Sequence, residues 1–184
     1  MREGTDFCMI KKEEIYALFR ERGIPYEAVE HRAVYTMEAL AEVELPYPDA
    51  EAKNLFVRDD KHRTYLLIVM KGEKRIDLKA LRRAYGTRPL TFASEEELSS
   101  FLALTRGAVS PLGILNDTER RVAVWLDEDL LCGEGKIGVH PNDNTATVYL
   151  SAKDLVTLLE EHGNEVHLVK LPCLGEAHTD AQNT

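Results

Sequence analysis

The sequence predicts a single α+β domain in which a mixed, largely antiparallel curved sheet is flanked by helices. Three observations carry that expectation. Short runs of β-branched and aromatic residues separated by tight polar turns read as hairpins. Single amphipathic helices interrupt them without the strict alternation of a parallel βαβ sheet. At 184 residues, 44% of them hydrophobic, the chain can build one substantial core and hardly two. The expected boundaries are a flexible leader at 1–10, a folded body at 11–172 and a small, polar, disordered tail at 173–184.

Taken in order, Ile15, Leu18 and Phe19 recur at helical spacing within residues 11–22, and Gly23 with Pro25 supplies the stop. Residues 26–30 read as a short strand, and Thr36 is placed to cap a second helix reaching about Val43, ended by the Leu45-Pro46-Tyr47-Pro48 loop. Residues 55–58 and 64–70 flank the polar turn Asp59-Asp60-Lys61-His62 and predict a hairpin. Asp77 caps a basic helix through Tyr85 that Gly86 closes, residues 91–93 form a short strand, and Ser94-Glu95-Glu96-Glu97 is a capping box. After the glycine-flanked loop Gly107-Ala108-Val109-Ser110-Pro111-Leu112-Gly113, a second hairpin is expected from Ile114-Leu115, a turn at Asn116-Asp117, and residues 122–126. Residues 145–150 form a further strand, Ser151 and Asp154 open a helix that Gly163 ends, and residues 166–171 are the last strand.

The longest apolar run, Leu66-Leu67-Ile68-Val69-Met70, is far short of the roughly 20 residues a membrane helix needs. The first eight residues carry acids and no apolar stretch, unlike a signal or transit peptide, so a cytoplasmic location without a membrane partner is expected. Cys8, Cys132 and Cys173 lack C-x-x-C spacing and read as ordinary thiols. Six histidines show no pair at ligand spacing on a helix face, so neither metal nor cofactor is expected.

Net charge is -9, which argues against a nucleic-acid partner until its distribution is considered. Between Lys53 and Arg88 there are 11 basic residues against 4 acids, a local excess of +7 on a body that carries -16. That pattern suits either a solvated face or a protein that meets polyanions on one side. Gly133-Glu134-Gly135-Lys136-Ile137-Gly138 matches G-x-G-x-x-G, but Val139-His140-Pro141 and a strand follow it instead of the helix a dinucleotide turn requires. P-loop, zincin and nucleophile-elbow patterns do not occur. His140 sits in a loop dense in Asn and Asp, which is either a side-chain-stapled turn or a ligand-facing loop. Lys53 opens a strand, where its ammonium either reaches solvent or anchors a phosphate or developing oxyanion.

Lys53-Asn54-Leu55-Phe56-Val57-Arg58-Asp59, the Gly107-x-x-x-Pro111 loop, and Gly138-Val139-His140-Pro141-Asn142-Asp143-Asn144-Thr145-Ala146-Thr147-Val148 together resemble the YbaK/prolyl-tRNA editing family, in order and in gaps, over about residues 11–171. Within it the chain looks most similar to freestanding alanyl-tRNA(Pro) deacylases. The resemblance implies a hydrolase that removes alanine from mischarged tRNA(Pro), with the tRNA acceptor end and prolyl-tRNA synthetase as candidate partners. It implies that Lys53 steadies the terminal adenosine or its phosphate with Asn54 beside it. Gly107, Ala108, Val109, Ser110 and Pro111 would present backbone groups to the aminoacyl moiety and the ribose 2′-OH. His140 would line the alanine pocket, with Asn142 and Asn144 in the same loop. Arg58, Lys61, Arg63, Lys74, Arg75, Arg82 and Arg83 become candidates for tRNA phosphates. The acidic, proline-bearing approach from Leu45 to Ala52 departs from the shorter glycine and threonine approach of the family pattern and bears on pocket shape. The alternatives are Cys-tRNA(Pro) or another aminoacyl-tRNA as substrate and, in a different class, a noncatalytic tRNA-binding or synthetase-associated module.

Overall fold

The computed structural model describes residues 9–34 and 43–174. The expected helix at 36–43 lies, apart from Val43, outside the described residues, as do the leader up to residue 8 and the tail from 175. Cys173, placed by the sequence reading at the start of the tail, is buried and bridges Ile76.

The chain runs α1 (Lys12–Arg22), β1 (Tyr26–Glu30), β2 (Ala52–Asp59), β3 (Tyr65–Lys71), α2 (Leu78–Tyr85), β4 (Leu90–Phe92), α3 (Glu95–Leu102), β5 (Val122–Asp127), β6 (Lys136–Val139), β7 (Ala146–Ser151), α4 (Ala152–His162) and β8 (Val166–Val169). The helix ends follow the cap chemistry read from the sequence. The Asp77 carboxylate accepts from the Lys79 and Ala80 amides, Ser94 and Glu97 form a reciprocal capping box, and Gly23, Gly86 and Gly163 close their helices in the left-handed conformation.

The strands form two sheets instead of one, a three-stranded β1-β7-β6 and a five-stranded β4-β2-β3-β5-β8. Four of the strand pairs are antiparallel and two, β3 with β5 and β5 with β8, are parallel. The sheets meet at a bridge between Glu51 and Gly138. One core fills the space between them together with α1, α3 and α4; it takes Ala52 and Phe56 from β2, and Tyr65, Leu67 and Val69 from β3. The outer face of the larger sheet packs under α2 through Val57, Leu66, Ile68, Met70 and Leu81. β3 is thus buried on both faces, which is why it reads as an unbroken apolar run.

The second expected hairpin does not form. Pro111–Asn116 is a 3-10 helix, and β5 joins the sheet in parallel beside β3. Pro111 fixes the first turn, the Ser110 hydroxyl caps the Leu112 amide, and Gly113 lies so close to Leu104 that a Cβ there would approach Leu104 Cδ1 to 2.5 Å. Ile114 and Leu115 are consequently core residues of a tight turn. Lys136–Val139, within the G-x-G-x-x-G match, is a strand that pairs with β7.

Candidate active site

Three segments distant in sequence are tied together by side-chain hydrogen bonds. On β2, Asn54 donates through Nδ2 to the Val109 carbonyl at 3.0 Å. Ser110, fully buried, donates to the His140 carbonyl at 2.5 Å. Asn142 donates through Nδ2 to the Ile10 carbonyl at 2.8 Å and the Leu112 carbonyl at 3.3 Å. The 107–112 segment is therefore held by β2 on one side and by the 140–145 loop on the other. Gly107 enters it at φ +87, a conformation that side-chain-bearing residues rarely adopt.

Two acceptors in this network are left without partners: Asn54 Oδ1 and Asn142 Oδ1 are buried and make no hydrogen bond within the described protein. A buried carbonyl oxygen without a donor costs about 1–3 kcal/mol, so two of them flanking one loop are features that packing alone does not explain.

The remaining loop residues hold the backbone in place. Asn144 Nδ2 donates to the Val34 carbonyl at 3.1 Å, and the Val34 amide returns a bond to the Asn144 carbonyl. The Thr145 hydroxyl and amide both donate to the Asp143 carboxylate and hold it below the usual carboxylate range. The His140 ring donates from Nδ1 to the Ala146 carbonyl at 2.9 Å, which leaves the lone pair on Nε2. Burial pushes the imidazole below its ordinary pKa, against the Ala146 carbonyl and with help from His31, whose ring lies 6.1 Å away. It is a neutral imidazole near pH 7.

Ser110 and His140 do not form a nucleophile and base pair, because the hydroxyl hydrogen bond goes to the histidine backbone. Among the described residues no group of three or more His, Cys, Asp or Glu could hold a metal ion, and no helix is long and apolar enough to cross a membrane. The arrangement offers fixed backbone groups, amide acceptors and a neutral imidazole, the equipment of positioning and electrostatic catalysis.

Lys53 stands apart. The β2–β3 register sets Asn54 opposite Val69, in the inter-sheet core, and Lys53 opposite Met70, in the cluster under α2. The Lys53 ammonium donates to the Lys74 carbonyl at 2.9 Å. Lys74 in turn places its ammonium between Asp127, fully buried, and Asp129, each at 2.5 Å. Burial works against that charge, but the two carboxylates outweigh it and raise the lysine above its usual range.

The candidate phosphate contacts divide as well. Arg58 is engaged by Glu97 at 3.3 Å and Lys74 by its two aspartates, whereas Lys61, Arg63, Arg75, Arg82 and Arg83 are exposed.

Sequence reasoning missed two pairings. Tyr149 donates to the Glu51 carboxyl, which burial pushes above the usual carboxylate range, and the Glu51 and Tyr149 side chains close over Gly138. Asp127 is the buried partner of Lys74. Both join residues more than fifty positions apart, and no local spacing signals them.

The model of the aminoacyl-tRNA editing domain matches residues 31–158. A prolyl-tRNA editing protein named ProX from Acetoanaerobium sticklandii is 42% identical over 163 residues, covering 89% of this chain and 99% of that protein. A prolyl-tRNA synthetase associated domain-containing protein 1 from Danio rerio is 32% identical over 151 residues, covering 82% of each. A solved structure described as a candidate trans-editing enzyme for prolyl tRNA synthetase superposes with a TM-score of 0.64 at 25% identity, covering 88% of this chain and 96% of that one. With its motifs, its fold and these matches in agreement, the chain belongs to the aminoacyl-tRNA editing domain family of enzymes.

Proposed function

We propose that this protein hydrolyses the aminoacyl ester of Ala-tRNA(Pro). Water adds to the ester carbonyl, the bond to the terminal ribose oxygen breaks, and alanine and free tRNA leave. The observation that carries the reading is the pair of orphaned acceptors, Asn54 Oδ1 and Asn142 Oδ1, on either side of the 107–112 segment. An aminoacyl ester brings the donors such acceptors lack, an α-ammonium and a ribose 2′-OH. The 42% identical relative, a prolyl-tRNA editing protein by name, supports tRNA(Pro) as the carrier.

In this reading Gly107, Ala108, Val109 and Pro111 shape the backbone wall, Ser110 locks that wall to the 140–145 loop, and neutral His140 with Asn144 bounds the amino-acid side. A synthetic site shaped for proline rejects a smaller amino acid by only about 1–3 kcal/mol, so a second site that admits only the smaller product completes the selection. Lys53 holds the terminal phosphate from the other face of β2.

Deacylation of labelled Ala-tRNA(Pro), with Cys-tRNA(Pro), Pro-tRNA(Pro) and Ala-tRNA(Ala) in parallel, tests the proposal. Loss of alanine from tRNA(Pro), abolished in Lys53→Ala with an unchanged circular dichroism spectrum, is the expected result. Preferential loss of cysteine replaces the substrate, and retention of tRNA without hydrolysis overturns the enzymatic reading.

A further inference from the structure

The basic segment from Lys53 to Arg88 is not one surface. Lys53, Arg58 and Lys74 are committed to the Lys74 carbonyl, to Glu97, and to Asp127 with Asp129. Arg88 is clamped by Asp60 at 2.7 and 2.9 Å. On α2 the situation differs. Lys79, Arg82 and Arg83 stand at i, i+3 and i+4, so they project from one side of the helix, and all three are exposed with no ion-pair partner among the described residues. Together with Gly86 and Thr87 they line an open concavity of about 550 Å³. The Thr87 hydroxyl is buried and finds no partner among the described residues.

The lining contains no aromatic ring to stack a base and no carboxylate to read one. Its chemistry is that of a phosphate contact, which positions a nucleic acid without reading its sequence. The opposite edge of α2 is fixed: Leu81 is buried in the outer cluster, Tyr85 donates to the Lys170 carbonyl at 2.8 Å, and the Asp77 amide donates to the Pro172 carbonyl. The cations are thus carried on a helix that packing holds in place.

We infer that the α2 face bearing Lys79, Arg82 and Arg83 grips the phosphate backbone of the RNA substrate, on the side of the five-stranded sheet opposite Asn54. This rests on the proposal that the substrate is a tRNA. Lys53, whose ladder partner Met70 packs beneath α2, lies on the same side of the sheet, its ammonium on the Lys74 carbonyl.

The test is binding of uncharged tRNA across a salt series by the wild-type chain, by Arg82→Ala/Arg83→Ala, and by a charge-matched control, Arg20→Ala/Lys153→Ala, on α1 and α4. The α2 variant should bind about tenfold more weakly near 0.1 M salt, with a log-log salt slope shallower by about 2, while the control follows the wild type. Equal weakening in both variants assigns the effect to net charge and overturns the located surface, as does an α2 variant that binds like the wild type. Deacylation is read separately. Tight, α2-dependent tRNA binding without hydrolysis would sink the enzymatic proposal and leave this surface standing.

Discussion

The Ser110 hydroxyl donates to the backbone carbonyl of His140, 30 residues away, and accepts from the Leu112 amide. With the Asn142 bond to the Leu112 carbonyl, that buried hydroxyl ties the 107–112 segment to the 140–145 loop. Ser110→Ala strands a buried carbonyl and an amide and should cost about 1–3 kcal/mol, read as a lower urea midpoint. Ser110→Cys, which keeps a weak donor and acceptor of similar shape, should recover part of the loss. Unchanged stability in the alanine variant would show that the loops are held by other contacts.

Asn54→Ala removes both the bond to Val109 and the free acceptor. Turnover should fall by about 10²-fold, the scale found when one preorganised polar group is deleted from an ester site. Single-turnover deacylation under saturating enzyme separates this loss from weaker tRNA binding. A variant that loses only affinity would move Asn54 from the ester to the RNA.

His140 makes stability depend on pH in a defined direction. Its folded pKa lies below the ordinary 6.5, so the unfolded chain binds the proton more readily. The stabilising contribution is complete above about pH 6.5 and is lost as pH falls from there through the folded value. Denaturation midpoints measured from pH 7.5 down to pH 5 should decline, and the decline should be smaller in His140→Asn. Identical profiles in the two proteins would remove His140 as the titrating group.

Glu51 has the opposite slope. Its carboxyl is raised by burial, so the folded chain holds the proton more readily and stability falls as pH climbs from the ordinary value of 4.5 through the raised one. Glu51→Gln keeps an acceptor for the Tyr149 hydroxyl without the buried charge and should be at least as stable as the wild type at pH 7. Glu51→Ala leaves that hydroxyl unpaired and should cost about 1–3 kcal/mol. A glutamine variant as damaged as the alanine one would mean that the ionised carboxylate is required.

Lys74→Met leaves Asp127 buried and uncompensated, a loss of about 3–5 kcal/mol for a pair of this kind. The double variant Lys74→Met/Asp127→Leu should recover most of it in thermal unfolding. Failure of that rescue would place the damage in the 72–75 turn that also receives the Lys53 ammonium.

Local physics made most of the fold legible. Caps at Asp77, Ser94 and Ser151, stops at Gly23, Gly86 and Gly163, and the Asp59 to His62 turn act within a few residues, so the sequence carried them directly. The 3-10 turn at Pro111–Asn116 was misread because its apolar run is equally consistent with a strand; what decides it is burial against Leu102 and Leu104, invisible locally. The close approach of the Tyr149 ring to Gly138 across the β6–β7 pair joins positions that no period connects. At the site, the motifs named Asn54, the 107–111 loop and His140 together, but the alternation of β2 that separates Lys53 from Asn54 was overlooked although it follows from strand geometry alone.

That alternation makes β2 a partition wall with an amide on one side and an ammonium on the other. Residues before Ala52 can be added or removed only if the loop absorbs the change whole. A single residue fed into the strand would exchange the two occupants, setting the cation on the inter-sheet face and the amide on the face under α2. On the proposed assignment, choice of amino acid and grip on RNA lie on opposite sides of one strand, free to drift independently so long as its register never slips.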